Sequence, residues 1–323
     1  MTMPAAVRCC GRAAAARAGM LGAAAVAGIV LFTGAGATAT AGATVAAGVG
    51  AGTGTAPAAQ AFSTGRAVAY IRSRLAAGGG FAEPGEEPGA GLTAWATLAL
   101  VAAASPPGPA TARYLRAQEA EIASATDLEL SLIAQRALGG GAAALLARLE
   151  ALVRPDGRIG PVLNSTFWGA LALRAAGRPV PAATAALIRR TQGSGGGWSW
   201  HAKGRPDADD TAAALLALKA AGATARDPAV RRGLAFLARL RNSDGGTTAD
   251  PGGDSNAQST AWAIQAHRAF GRAPASGALA YLARLQQPDG SVRFSTDYAT
   301  TPVWVTAYAV VAASGRWYPV AGR

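Results

Sequence analysis

The sequence predicts an all-α protein: an α6/α6 toroid, a ring of about six helical-hairpin repeats with inner helices around a central axis. Three observations predict it. A short pattern, Thr followed two residues later by Trp and then by small and aliphatic residues, returns at intervals of about 35 to 49 residues. Before each copy stands a second helix-like stretch with apolar spacing near 3.6, as in Leu234, Leu237 and Leu240. The last copy is as apolar as the others, whereas an open solenoid ends on polar repeats, so the hairpins are expected to close on themselves.

The inner helices follow in order. They are Thr93-Ala-Trp95-Ala-Thr-Leu-Ala-Leu100, the looser Leu128-Glu-Leu130-Ser, Thr166-Phe-Trp168-Gly, Thr211-Ala-Ala213-Ala, Thr260-Ala-Trp262-Ala and Val303-Trp304-Val-Thr-Ala-Tyr308. The residues anchoring the repeat are read as Trp95, Leu130, Trp168, Ala213, Trp262 and Trp304. Outer helices are expected over Arg66 to Leu75, Thr111 to Ala120, Ala142 to Leu152, Ala182 to Thr191, Val230 to Leu240 and Ala278 to Leu285. Turns such as Pro155-Asp-Gly157, Ser243-Asp-Gly-Gly246 and Pro288-Asp-Gly290 end them. No strand is expected.

Residues 1-39 read as a secretory leader: Arg8, Arg12 and Arg17, then the uncharged Ala18 to Phe32, then small residues suited to cleavage near Ala39. Residues 40-61, uncharged Ala, Gly and Thr, read as a flexible linker, and 62-323 as the toroid. The expected location is therefore outside the cell. Cys9 and Cys10 leave with the leader, so disulfides and thiolate metal sites are excluded from the mature chain. Its net charge, +12 for the whole sequence, falls to about +9. The arginines are scattered over outer helix faces, a solvated surface rather than a nucleic-acid site, with contact to anionic lipid or cell-wall polymer left open.

Chemistry gathers at Arg205-Pro-Asp207-Ala-Asp209-Asp210-Thr-Ala212, just after the aromatic loop Gly195-Gly-Gly-Trp198-Ser-Trp200. One Asp suffices to cap a helix, and three crowded carboxylates repel, so at least one should keep its proton to unusually high pH. Asp209 lies one turn before Ala213; the matching positions are Gly91, Thr126, Asn164, Gln258 and Thr300, a mostly polar rim. The Trp ring one turn deeper either lines a cavity or wedges inner helices against outer ones.

The Gly-Gly-Trp-x-aromatic loop followed by Pro-Asp-x-Asp-Asp-Thr-Ala, set among helical repeats, resembles the terpenoid-cyclase and protein-prenyltransferase superfamily, and squalene–hopene and other class II terpene cyclases most closely. The resemblance implies Asp209 as proton donor, with Asp207 and Asp210 holding and tuning it. It implies an isoprenoid-like apolar ligand against Trp95, Trp168, Trp262, Trp304 and Tyr308, with Asn164 and Gln258 on the rim and Trp198 and Trp200 closing the mouth. No cofactor or metal is expected; the zinc site of protein prenyltransferases needs a cysteine that the mature chain lacks. His201 and His267 are the only histidines, and neither is placed beside the aspartates by sequence. Asn242-Ser-Asp244 and Asp254-Ser-Asn256 resemble pieces of calcium loops and are read as turns. The segment Asp254 to Ala266 resembles one found in exported bacterial repeat proteins, and the whole is similar to the α6/α6 domain of cobalamin carriers, which implies the alternative: a non-catalytic exported module presenting a ligand to a partner chain or uptake system.

Overall fold

The computed structural model describes residues 61–320; the expected leader and nearly all of the expected linker lie outside the described residues. Twelve α-helices stand among the described residues, in six hairpins. The outer layer holds α1 (Thr64–Arg72), α3 (Pro109–Ala117), α5 (Ala143–Ala151), α7 (Ala182–Arg190), α9 (Pro228–Arg239) and α11 (Ala278–Leu285). The inner layer holds α2 (Ala90–Ala102), α4 (Ala125–Ala137), α6 (Leu163–Ala175), α8 (Ala208–Ala220), α10 (Ala257–Ala269) and α12 (Pro302–Ala313). Each inner helix packs against the next, and α12 packs against α2, so the ring closes. Composition sorts the layers. Inner helices such as α8 and α12 are buried almost all round, whereas α9 hides Val230, Leu234 and Leu237 and turns arginines outward.

A hydroxyl clip sets the register. Phe81, Ile159, Trp198, Thr247 and Val292, each in the turn leading to an inner helix, donate their backbone N–H to Thr93, Thr166, Thr211, Thr260 and Thr306, at 2.8–3.2 Å. These threonines are fully buried, and each satisfies an N–H that no regular ladder would pair. Leu128 stands at this place in α4. The clip corrects the expected register of the last repeat. Tyr308, two residues after Thr306, is the counterpart of Trp95, and Trp304, not Thr300, shares the position of Asp209. The cause is local: α12 starts late, after Thr301 in a left-handed conformation and Pro302 at its first turn. One short antiparallel pair, Thr247–Thr248 with Ser255–Asn256, departs from the strandless expectation; it lies in the turn before α10.

Gly196 shows why those turns need glycine. Its φ is +91°, and a Cβ would lie 2.7 Å from the Arg232 carbonyl oxygen of the next outer helix. The seam between first and last repeats is held by polar bonds. Gln286 accepts from the Ser63 N–H and donates to the Ser63 carbonyl, both at 2.9 Å. Glu83 accepts the backbone N–H groups of Val303 and Trp304, both at 2.9 Å, and so caps α12.

Candidate active site

The three aspartates divide their work at the start of α8. Asp207 is the N-cap, in extended backbone, and its Oδ1 accepts the Asp210 N–H at 2.8 Å. Asp210 is buried, and its Oδ1 accepts the Asn164 side-chain amide of α6 at 2.6 Å. Asp209 turns the other way, toward α10, where its Oδ2 accepts the Gln258 side-chain amide at 2.6 Å. Two amides from the flanking inner helices thus clasp two acids from either side. The other oxygen of Asp209, Oδ1, is cut off from solvent and has no hydrogen-bond partner.

All three carboxyls are raised above the ordinary range, and burial is the first cause for each. Asp207 and Asp210 repel or share a proton and titrate as a pair. Asp209 is pushed up to about 7 by burial and by the charge of Asp207, while Ser259 and Gln258 pull it down. With Oδ2 occupied as an acceptor, Oδ1 is the oxygen free to carry the proton of neutral Asp209. A carboxyl with that pKa is half protonated near neutrality and able to donate.

Aromatic rings fill the axis below the rim. Trp95, Trp168, Trp262 and Tyr308, contributed by four inner helices, are buried, and Trp304 is half-buried above Tyr308. Their centroids lie 4.8–6.5 Å apart, mostly edge to face or tilted, the arrangement that aromatic quadrupoles favour. Leu130 and Ala213 complete the layer, so the aromatics line the axis and pack it at once. Tyr308 is raised by burial, and the charge of Asp209 adds to the shift.

The two loop tryptophans lie elsewhere. Trp198 is fully buried between layers, its indole N–H donating to the Ile188 carbonyl at 2.6 Å, its ring against Gly233, where a Cβ would approach to 2.8 Å. Its place is in the packing of the hairpin, not at the mouth of the axis. Trp200 is half-buried, and its carbonyl accepts the N–H groups of Leu163 and Asn164, capping α6. His201 is exposed, and His267 bonds the Ala263 carbonyl near the far end of α10, so neither meets the aspartates. Asp244 accepts from Gly246 N–H and Ser255 Oγ, a turn bond and a brace. Among the described residues no three His, Cys, Asp or Glu side chains gather to hold a metal ion.

Sequence reasoning missed Glu129. It is fully buried on α4, neither carboxyl oxygen has a partner, and burial raises it well above the usual range. In sequence it stands between Leu128 and Leu130; the only signal was that every residue around it falls on an inner helix.

No family model matches the chain, and no curated protein does. Solved structures do. Type II terpene cyclase MstE from Scytonema superposes with a TM-score of 0.56 at 17% identity, over 78% of this chain and 96% of that one. This chain shares its fold with that cyclase. MstE has also been captured with geranylgeranyl dihydroxybenzoate. A protein from Actinoplanes matches with a TM-score of 0.60 at 20% identity, over 78% of this chain and 98% of that one. A glycosidase matches with a TM-score of 0.55 at 13% identity, over 78% and 95%. The same ring therefore carries different chemistries, and function must be argued from the site.

Proposed function

We propose that this protein is a Brønsted-acid cyclase or isomerase acting on an apolar, isoprenoid-like polyene, with Asp209 as general acid. One observation carries the reading: the Asp209 oxygen that bears the proton is dry and unpartnered, at the head of an axis lined by tryptophans. Donation from Oδ1 to an alkene carbon uses the π pair to make a C–H bond and leaves a carbocation on the neighbouring carbon. The faces of Trp262, Trp304 and Tyr308 stabilise that cation, and burial keeps out water that would trap it. Gln258 holds the resulting carboxylate at Oδ2, Asn164 fixes Asp210, and Asp207 locks the helix start that presents all three. Ala213, where four other repeats carry a ring, is the small residue one turn below the acid.

The test incubates the mature protein with squalene and with linear prenyl substrates, and compares Asp209→Asn. Cyclised or isomerised product from wild type alone supports the reading. Equal product from both proteins sinks it. The mutual contact of the axial rings favours a second reading, a non-catalytic exported carrier, which predicts tight binding and no turnover by either protein. Export itself rests on the arginine-rich start and the apolar run after it; N-terminal sequencing of the protein from culture medium checks it.

A further inference from the structure

Tyr318 belongs to no helix of the ring, yet its side chain sits at the centre of it. It is fully buried, with its ring centroid 5.4 Å from Trp95, 5.7 Å from Trp168 and 5.5 Å from Trp262, three residues from three inner helices. Its hydroxyl has no partner, an unsatisfied polar group in an apolar box. The segment that delivers it is lightly held. Gly315 N–H reaches Ala312 at 3.4 Å and Arg316 N–H reaches Ser314 Oγ at 3.4 Å, and Trp317–Val320 make no hydrogen bond to the described residues. Apolar contact alone seats it.

A second unsatisfied group lies on the helix that carries Trp262. Gln265 follows Trp262 by three residues, on the same face of α10, fully buried, with both its amide nitrogen and its amide oxygen unpartnered. An amide left bare in a core calls for hydrogen-bond partners, and among the described residues neither its nitrogen nor its oxygen finds one. At the C-terminal ends of the inner helices, opposite Asp209, a cleft of about 1070 Å³ opens. Leu138 and Leu216 line it, Trp317–Val320 form one wall, and no acidic side chain borders it. The tail thus stands between a roomy cleft and the aromatic box.

We propose that Trp317–Val320 are an intramolecular plug: Tyr318 fills the axial seat of an apolar ligand bearing a hydroxyl or carbonyl oxygen, which enters through this cleft and bonds Gln265. The proposal rests on the reading of the axis as an isoprenoid-like site, and it is independent of whether Asp209 transfers a proton.

The test measures binding, by tryptophan fluorescence, of a neutral linear twenty-carbon prenyl alcohol and of its parent hydrocarbon, with Asp209→Asn in every full-length variant so that no turnover intrudes. Removing the competitor in Tyr318→Ala should tighten binding of the alcohol at least about tenfold. Tyr318→Phe keeps the plug and deletes its unsatisfied hydroxyl, so it should raise Tm and weaken binding about threefold or more. Adding Gln265→Leu to Tyr318→Ala should erase the preference for alcohol over hydrocarbon. Affinity unchanged across Tyr318→Phe, or no tighter in a folded Tyr318→Ala, overturns the plug; should Tyr318→Ala fail to fold, the Tyr318→Phe result decides. Ordered affinities with no product in the cyclisation assay would remove the catalytic reading and leave the plug standing. Product without ordered affinities would do the reverse.

Discussion

α8 and α12 occupy the same place in two copies of one repeat, and they spend it differently. Each is clipped at a buried threonine, Thr211 or Thr306, by a backbone N–H from the turn before it. At the next position up the axis, α8 presents Asp209 and α12 presents Trp304. One turn deeper, α8 has Ala213 where α12 has Tyr308. The frame is constant and the cargo is not: an acid above a small alanine in one repeat, a ring above a ring in the other. A repeat fold can thus carry a reactive group without changing the bonds that build it, because those bonds use backbone and threonine alone.

The comparison breaks most visibly at the turns. Trp198→Ala, before α8, should lower stability by about 3–5 kcal/mol, and Val292→Ala, before α12, by about 1–3 kcal/mol, in denaturant unfolding. Equal losses would mean that Trp198 is not a packing residue. Asp209 gives the next largest effect, and it depends on pH. Its folded pKa, about 7, exceeds the unfolded one, so the native state binds the extra proton. The stability this contributes is complete below the unfolded value near 4 and is lost as pH rises through 7. Asp209→Asn should therefore match wild type at pH 4 and exceed it by about 2–4 kcal/mol at pH 8. A gain of similar size at both pH values would show that the carboxyl is not buried against its charge. Wild-type turnover should likewise decline above pH 7, where the acid form is spent.

Thr211→Val and Thr306→Val sharpen the shared half of the comparison. Each orphans one buried N–H, and each should cost about 1–3 kcal/mol, equally in the two repeats. The smallest effect belongs to Gln258→Leu. It removes a bond that favours the carboxylate, so the pH at which turnover falls should move upward, read from the pH–rate profile; a downward move would contradict the assigned hydrogen bond.

The helices were legible because inner and outer layers differ in pattern, one apolar all round and the other striped. The acid cluster was legible because three carboxylates at a helix start exceed what a cap requires. Trp304 misled the register because a tryptophan outweighs a threonine by eye, although Thr306 carries the backbone bond. Trp198 looked like a mouth residue for the same reason: a loop aromatic signals function, yet its N–H had a carbonyl waiting inside the hairpin. Tyr318 left no trace at all, since a short tail beyond the last helix has no period to betray where it docks. Glu129 was hidden by its own charge, which ordinarily marks a solvated face.

The seam formed by Ser63 with Gln286, and by Glu83 with the start of α12, makes the first and last hairpins neighbours in space. A circle of equivalent hairpins has no intrinsic starting point. Rejoining the ring between its first and last hairpins and opening the backbone at another exposed turn, such as the one after α5, should yield the same ring with its acid, its rings and its clasp in place.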